Sequence, residues 1–355
     1  MHISDQATIR LGECVNLRLV RGMIMLGIGK AARQVHTAPA ENQASDMKRM
    51  GKTDGWVATV AWTGGLALLL TVLAGGIWTA LLLANLATTP TIPWAVAAMA
   101  LVLWSLWSYL GGRWRPDRTR KARRRYLRAR RVSGPIFTWA LLAGALSVVS
   151  LAGLWIVMFR LVRMPGNAVT DLSRFPLIIV VAVLAMASLV SSIAEEAGFR
   201  GYFQVALESH FGGPAAVVIA ALLIAPAHGL TQGFLWPTVL FYFLVDAMLG
   251  TSAYLTKSTL PGVVVHAIGL VIFFGFVWPQ DRHRELIWGN GADTWFWIHV
   301  MQAVVFAALG IIAFMHLARL AEPKAPAQPD RNPPSSRTEE LSAPLWNPGE
   351  HRFPI

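Results

Sequence analysis

The chain has 355 residues, 55% of them hydrophobic and only 14% charged, with a formal net charge of +12. So few charges, against roughly 25% in soluble domains, set it apart from water-soluble proteins, and apolar runs near 20 residues match the thickness of a hydrocarbon core. The single cysteine, Cys14, excludes an intrachain disulfide and a multi-thiolate zinc site.

Residues 1–55 form a cytoplasmic N-terminal segment with eight basic and five acidic residues. Its first 15 residues carry three charges and no long apolar core, which predicts no cleavable signal peptide. The stretch "CVNLRLVRGMIMLGIG", residues 14–29, mixes basic and apolar positions and reads as an interfacial helix on the membrane surface.

The fold class predicted is all-α, a polytopic membrane bundle of about eight transmembrane helices. The spans are read at 57–84, 93–112, 135–159, 177–199, 214–228, 236–256, 259–278 and 295–317. Residues 56–134 hold the first two spans and a basic loop, and residues 135–318 form the core. The tail, 319–355, is rich in Pro, Ser and charge and is predicted to be disordered. There is no internal repeat.

The loop "RWRPDRTRKARRRYLRARRV", 113–132, holds eleven basic residues and one acid. A short loop this basic between two spans is retained in the cytoplasm. That places both termini in the cytoplasm of a multi-pass protein of the cell membrane. The loop also suits anionic lipid headgroups as partners, and no nucleic-acid partner is expected.

The fourth span stands apart. Its helical pattern runs from 177 through "SSIAEEAGFRGYF" to about Phe211, where "GGP" breaks it. A helix of roughly 50 Å must tilt, protrude or bend near its charges. A carboxylate at the centre of a span costs about 2.5–3.5 kcal/mol, so Glu195 and Glu196 need partners or a task. Glu196 and Arg200 are i,i+4, the favourable order for an ion pair. Glu195 points about 100° away, on the side of Phe199, with no local cation. A carboxylate so placed is poised as a general base.

Two more reactive side chains fall within spans, His228 in "LLIAPAHGL" and His266 in "LPGVVVHAIGLVIFF". His299 and His316 read as ordinary packed histidines. Asp246 in "YFLVDAMLG" is a further charge at membrane depth, a partner for a histidine or for Arg200.

"EEAGFRGYFQ", then "LLIAPAH", then "STLPGVVVHA" resemble the CPBP family (CAAX protease and bacteriocin-processing, or Abi) of intramembrane endopeptidases. The family pattern is Glu-Glu-x-x-x-Arg, Phe-x-x-x-His and His-x-x-x-Asn or Asp on successive spans. Here the first motif is complete in Glu195, Glu196 and Arg200. The second has His228, with Ile224 where Phe is usual, and the third has His266, with Leu270 at the Asn or Asp position. The likeness covers about residues 177–278.

The resemblance implies hydrolysis of a peptide bond in a membrane-associated or lipidated protein substrate. It gives Glu195 the role of activating water, lets His228 and His266 line the site, and has Glu196 and Arg200 hold helix and carboxylate in place. Two histidines and a glutamate suit either a metal-free glutamate protease or a zinc site with an open position, and the sequence leaves both open. Leu270 cannot donate a hydrogen bond to an oxyanion, which favours as an alternative a catalytically silent relative acting as an immunity factor or membrane scaffold. A proton-coupled transporter using Glu195, Asp246 and the histidines is a third reading. Depth poses a further question. His228 lies some 21 Å into span five and His266 about seven residues into span seven, so the two meet only if span five tilts, starts deeper, or breaks at Pro226.

Overall fold

The computed structural model describes residues 55–88, 92–164 and 175–322. The interfacial segment read at 14–29 and the tail beyond Glu322 lie outside these residues. The described chain is helical, without strands. Helix α1 is Gly55–Leu86 and α2 is Trp94–Leu110; α3, Arg120–Leu127, is short; α4 is Gly134–Leu161. Then come α5 (Leu177–Phe211), α6 (Gly213–Gln232), α7 (Trp236–Thr256), α8 (Leu260–His283) and α9 (Thr294–Ala321).

Six of these are long and apolar enough to cross a membrane; α2 and the apolar part of α6 are shorter. Together they occupy the eight predicted spans, and the chain is a multi-pass membrane protein. Turns follow local chemistry. The Asn85 side chain closes the α1–α2 turn, donating to the Ile92 carbonyl at 2.6 Å and accepting from Ala95 N at 3.0 Å. Asp293 caps α9 by accepting from Phe296 N at 2.8 Å, satisfying a helix-end N–H that would otherwise be orphaned.

Helix α5 is the 35-residue element expected from 177 to Phe211, and it resolves its length by changing its winding. Residues 196–203, Glu196 to Phe203, are π-helical, between α-helical turns on either side. Such a segment admits an extra residue into the helix and is typical of functional sites. The sequence lets its neighbours come close. A Cβ on Gly198 would lie 3.0 Å from Ala67 Cα of α1, and one on Gly201 would lie 2.9 Å from the Tyr126 carbonyl of α3. Small residues facing each other let membrane helices approach backbone to backbone. Phe199 and Phe203 then fill the space between α1 and α6 with Ala67, Ala220 and Ile224.

The basic loop is more than a charge run. Part of it is α3, whose Arg123 is buried and donates to the carbonyls of Tyr109, Trp114 and Pro116. Leu127 packs with Ala197 and Tyr202 of α5. Arg128 pairs with Glu208 of α5 through both guanidinium nitrogens, at 2.9 and 2.5 Å. Downstream, Thr259 donates to the Leu127 carbonyl and Ser258 to the Arg130 carbonyl. The loop thus fastens α2, α5 and the start of α8 together.

Candidate active site

A cavity of about 250 Å³ lies between α4, α5, α6, α7 and α8. Glu195, His228 and His266 all line it. Glu196 and Arg200 sit directly behind, fully buried. The two histidines therefore reach one cavity, and α6 gets there without a break: it stays helical through Pro226 to Gln232.

His266 organises the centre. Its Nδ1 donates to Glu196 Oε1 at 3.2 Å, and its Nε2 stands 3.8 Å from Glu195 Oε2. The adjacent glutamates thus address opposite nitrogens of one imidazole. The cation absent near Glu195 in its own helix is replaced by a ring from α8. Because a carboxylate only accepts, the Nδ1 proton faces Glu196 and fixes the ring's orientation.

Arg200 balances the buried acids. Its Nε lies 3.5 Å from Glu196 Oε1, so the i,i+4 pair forms, and its Nη2 donates to Asp246 Oδ1 of α7. Asp246, read as a partner for a histidine or for Arg200, thus bonds Arg200. Buried at such depth, each charge would be prohibitive alone, and the paired network makes it tenable.

Several residues missed in sequence belong here. Tyr242 stacks face to face on the His228 ring, centroids 3.8 Å apart with planes 7° apart. Gln232 and Ser191 also line the cavity. An ideal Cβ on Gly262 would fall 2.4 Å from Glu196 Oε2, so only glycine leaves room for that carboxylate. Helical spacing carried the missing signal: Ser191 precedes Glu195, Gln232 follows His228, Tyr242 precedes Asp246 and Gly262 precedes His266, each by four residues and thus on one helix face.

The departures from the family pattern divide. Ile224 packs in the α1–α5–α6 core, away from the cavity. Leu270 lines the cavity itself, one turn beyond His266, presenting a methyl surface where the pattern has an amide or acid. His299 and His316 are outside it: His299 bonds to Gln302 at 2.9 Å, and His316 packs on Trp139.

Among the described residues, no group of three or more His, Cys, Asp or Glu is arranged to hold a metal ion. Glu195, His228 and His266 share the cavity wall without forming such a group.

A second depression of about 850 Å³, almost wholly apolar, runs between α4, α6, α7 and α9. Leu151 and Met248 form walls of both spaces.

Compared with known families, residues 177–270 match the family model described as type II CAAX prenyl endopeptidase Rce1-like. The matched stretch contains all three motifs that carried the resemblance. No curated protein and no solved structure matches the chain.

Proposed function

We propose that this chain is a membrane endopeptidase that hydrolyses a peptide bond of a membrane-associated or lipidated protein, with Glu195 as the base that activates water. The observation that supports it best is the pair of glutamates on the two nitrogens of His266 at the wall of the cavity. Glu195 takes a proton from water as the oxygen attacks the scissile carbonyl. The negative charge moves to the carbonyl oxygen, the proton rests on Glu195, and His266, held by Glu196, keeps that carboxyl in place. The proton is then delivered to the departing amine, so that water is consumed and one acid and one amine are formed.

The developing oxyanion needs a donor. Leu270 offers none, so the role falls to the imidazole of His228, braced by Tyr242, and to the amide of Gln232. Arg200 and Asp246 act as positioning residues. The apolar groove that shares Leu151 and Met248 with the cavity suits a lipid tail lying beside the scissile bond. The basic segment 113–132 faces the cytoplasm, with residues 55 and 322 on the same side of the cell membrane.

The test is peptide-bond cleavage by purified wild-type and Glu195→Ala protein of matched thermal stability, on native membrane extract, read as new N-termini and repeated with a chelator. Loss of cleavage in the variant and persistence with chelator are expected. Wild-type activity in an equally stable Glu195→Ala protein would sink the proposal. Leu270 favours one second reading, a silent relative serving as immunity factor or scaffold. It expects a phenotype that survives joint replacement of Glu195, His228 and His266.

A further inference from the structure

Not every arginine of the basic segment is used to hold the fold. Arg123 is spent on backbone carbonyls and Arg128 on Glu208. Arg113, Arg120 and Arg124 instead line a polar pocket of about 200 Å³ at the end of α2, floored by Trp107, Gly112 and Leu127. Among the described residues no carboxylate lines this pocket or pairs with these three side chains. Asp117, the only acid of the segment, is exposed and outside it.

The pocket is built by the turn that follows α2. Gly112 adopts a φ of +66°, and an ideal Cβ there would lie 2.7 Å from the Arg120 carbonyl and 2.9 Å from Arg124 Cγ. Only glycine allows α3 to close so tightly on the turn and bring its arginines beside Arg113. Three arginines lining one small space with no carboxylate among them favour an anion there. Their planar forks match phosphoryl oxygens in particular. The level of the pocket identifies the source. Trp104 and Trp114, both exposed, meet edge to face beside it at 5.5 Å, and tryptophans of this kind sit at the membrane–water interface.

We propose that Arg113, Arg120 and Arg124 form a binding site for the phosphoryl headgroup of an anionic phospholipid. The site is separate from the protease reading and stands or falls without it. It differs from diffuse attraction of a basic loop in being a defined pocket that takes one headgroup.

The experiment is a native mass-spectrometric titration of the full chain in detergent with phosphatidylglycerol, with phosphatidylcholine and with inorganic phosphate. Phosphatidylglycerol is expected to bind one per chain, at least about tenfold tighter than phosphatidylcholine. Arg120→Gln with Arg124→Gln should abolish that preference. Arg118→Gln with Lys121→Gln, equal in charge lost but outside the pocket, should keep it, with melting temperatures matched throughout. Equal loss in both double variants would overturn the site in favour of diffuse charge. Displacement of the lipid by inorganic phosphate would overturn the lipid assignment in favour of a soluble phosphate.

Discussion

The molecule carries two concentrations of charge, and it treats them in opposite ways. Around α5, the acids Glu195, Glu196 and Asp246 are met by Arg200 and His266 within the chain itself. At the end of α2, three arginines line one pocket with no acid of the described chain among its walls. The difference follows from the surroundings. Within a bundle at membrane depth nothing else supplies a counter-charge, so the fold must. At the bundle's end, water, ions and headgroups are at hand, and an unbalanced cluster becomes a means of binding.

Breaking the internal balance should have the largest effect. Arg200→Met leaves Glu196 and Asp246 buried without their cation, a loss of about 3–5 kcal/mol for a buried pair. Folded protein recovered from membranes should fall steeply, and a normal melting curve would contradict the network's role. Glu195→Ala touches only the reactive end of the same cluster. Cleavage should drop by about 10²–10⁴-fold, while the melting temperature stays near wild type.

Two changes sharpen the picture with smaller effects. Gly262→Ala forces the Glu196 carboxylate off His266, so cleavage should fall more than stability does; Gly269→Ala, where a Cβ meets only a methyl of Val148 at a tight 3.3 Å, is the milder comparison. Leu270→Asn supplies a hydrogen-bond donor in the cavity, and the rate should rise if oxyanion stabilisation limits it. No gain would mean that Gln232 and His228 already suffice.

The smallest effect lies outside both clusters, at Asp293. Bonds from Arg160 and from Phe296 N hold its carboxyl below the usual range. Its folded pKa is depressed, so its contribution to stability is present above about pH 4 and is lost as pH falls through the folded value. The melting difference between wild type and Asp293→Ala should therefore shrink in acid.

Much of this was legible in sequence, for reasons that mark the limit. Span positions follow from runs of apolar residues, and the helix from 177 to Phe211 was readable because "GGP" ends it. Glu195, Glu196, Arg200, His228 and His266 drew attention because polar residues at such depth need a cause. The Glu196–Arg200 pair was readable from its i,i+4 spacing, whereas the partners that arrive from other helices were not: His266 for both glutamates, and the choice between Arg200 and a histidine for Asp246. Arg200 and Asp246 are 46 residues apart, and their meeting depends on how α5 packs on α7. The vacant side of Gly262 acquires meaning only when Glu196 arrives from another helix. The basic loop illustrates the converse: composition gave its charge, while the fold of α3 divides its arginines into those that clamp the structure and those left over.

The π-helical turn of α5 can also be seen as gearing. One extra residue shifts the phase of everything after it by about 100°, so the faces upstream and downstream of Glu196 are set independently. Upstream, Ser191 and Glu195 face the cavity; downstream, Glu208 meets Arg128. Deleting Ala197 would restore ordinary winding and turn Glu208 away from Arg128 while the upstream face stayed in place. The cavity-facing end of the helix and its anchor are thus matched by a single residue of slack.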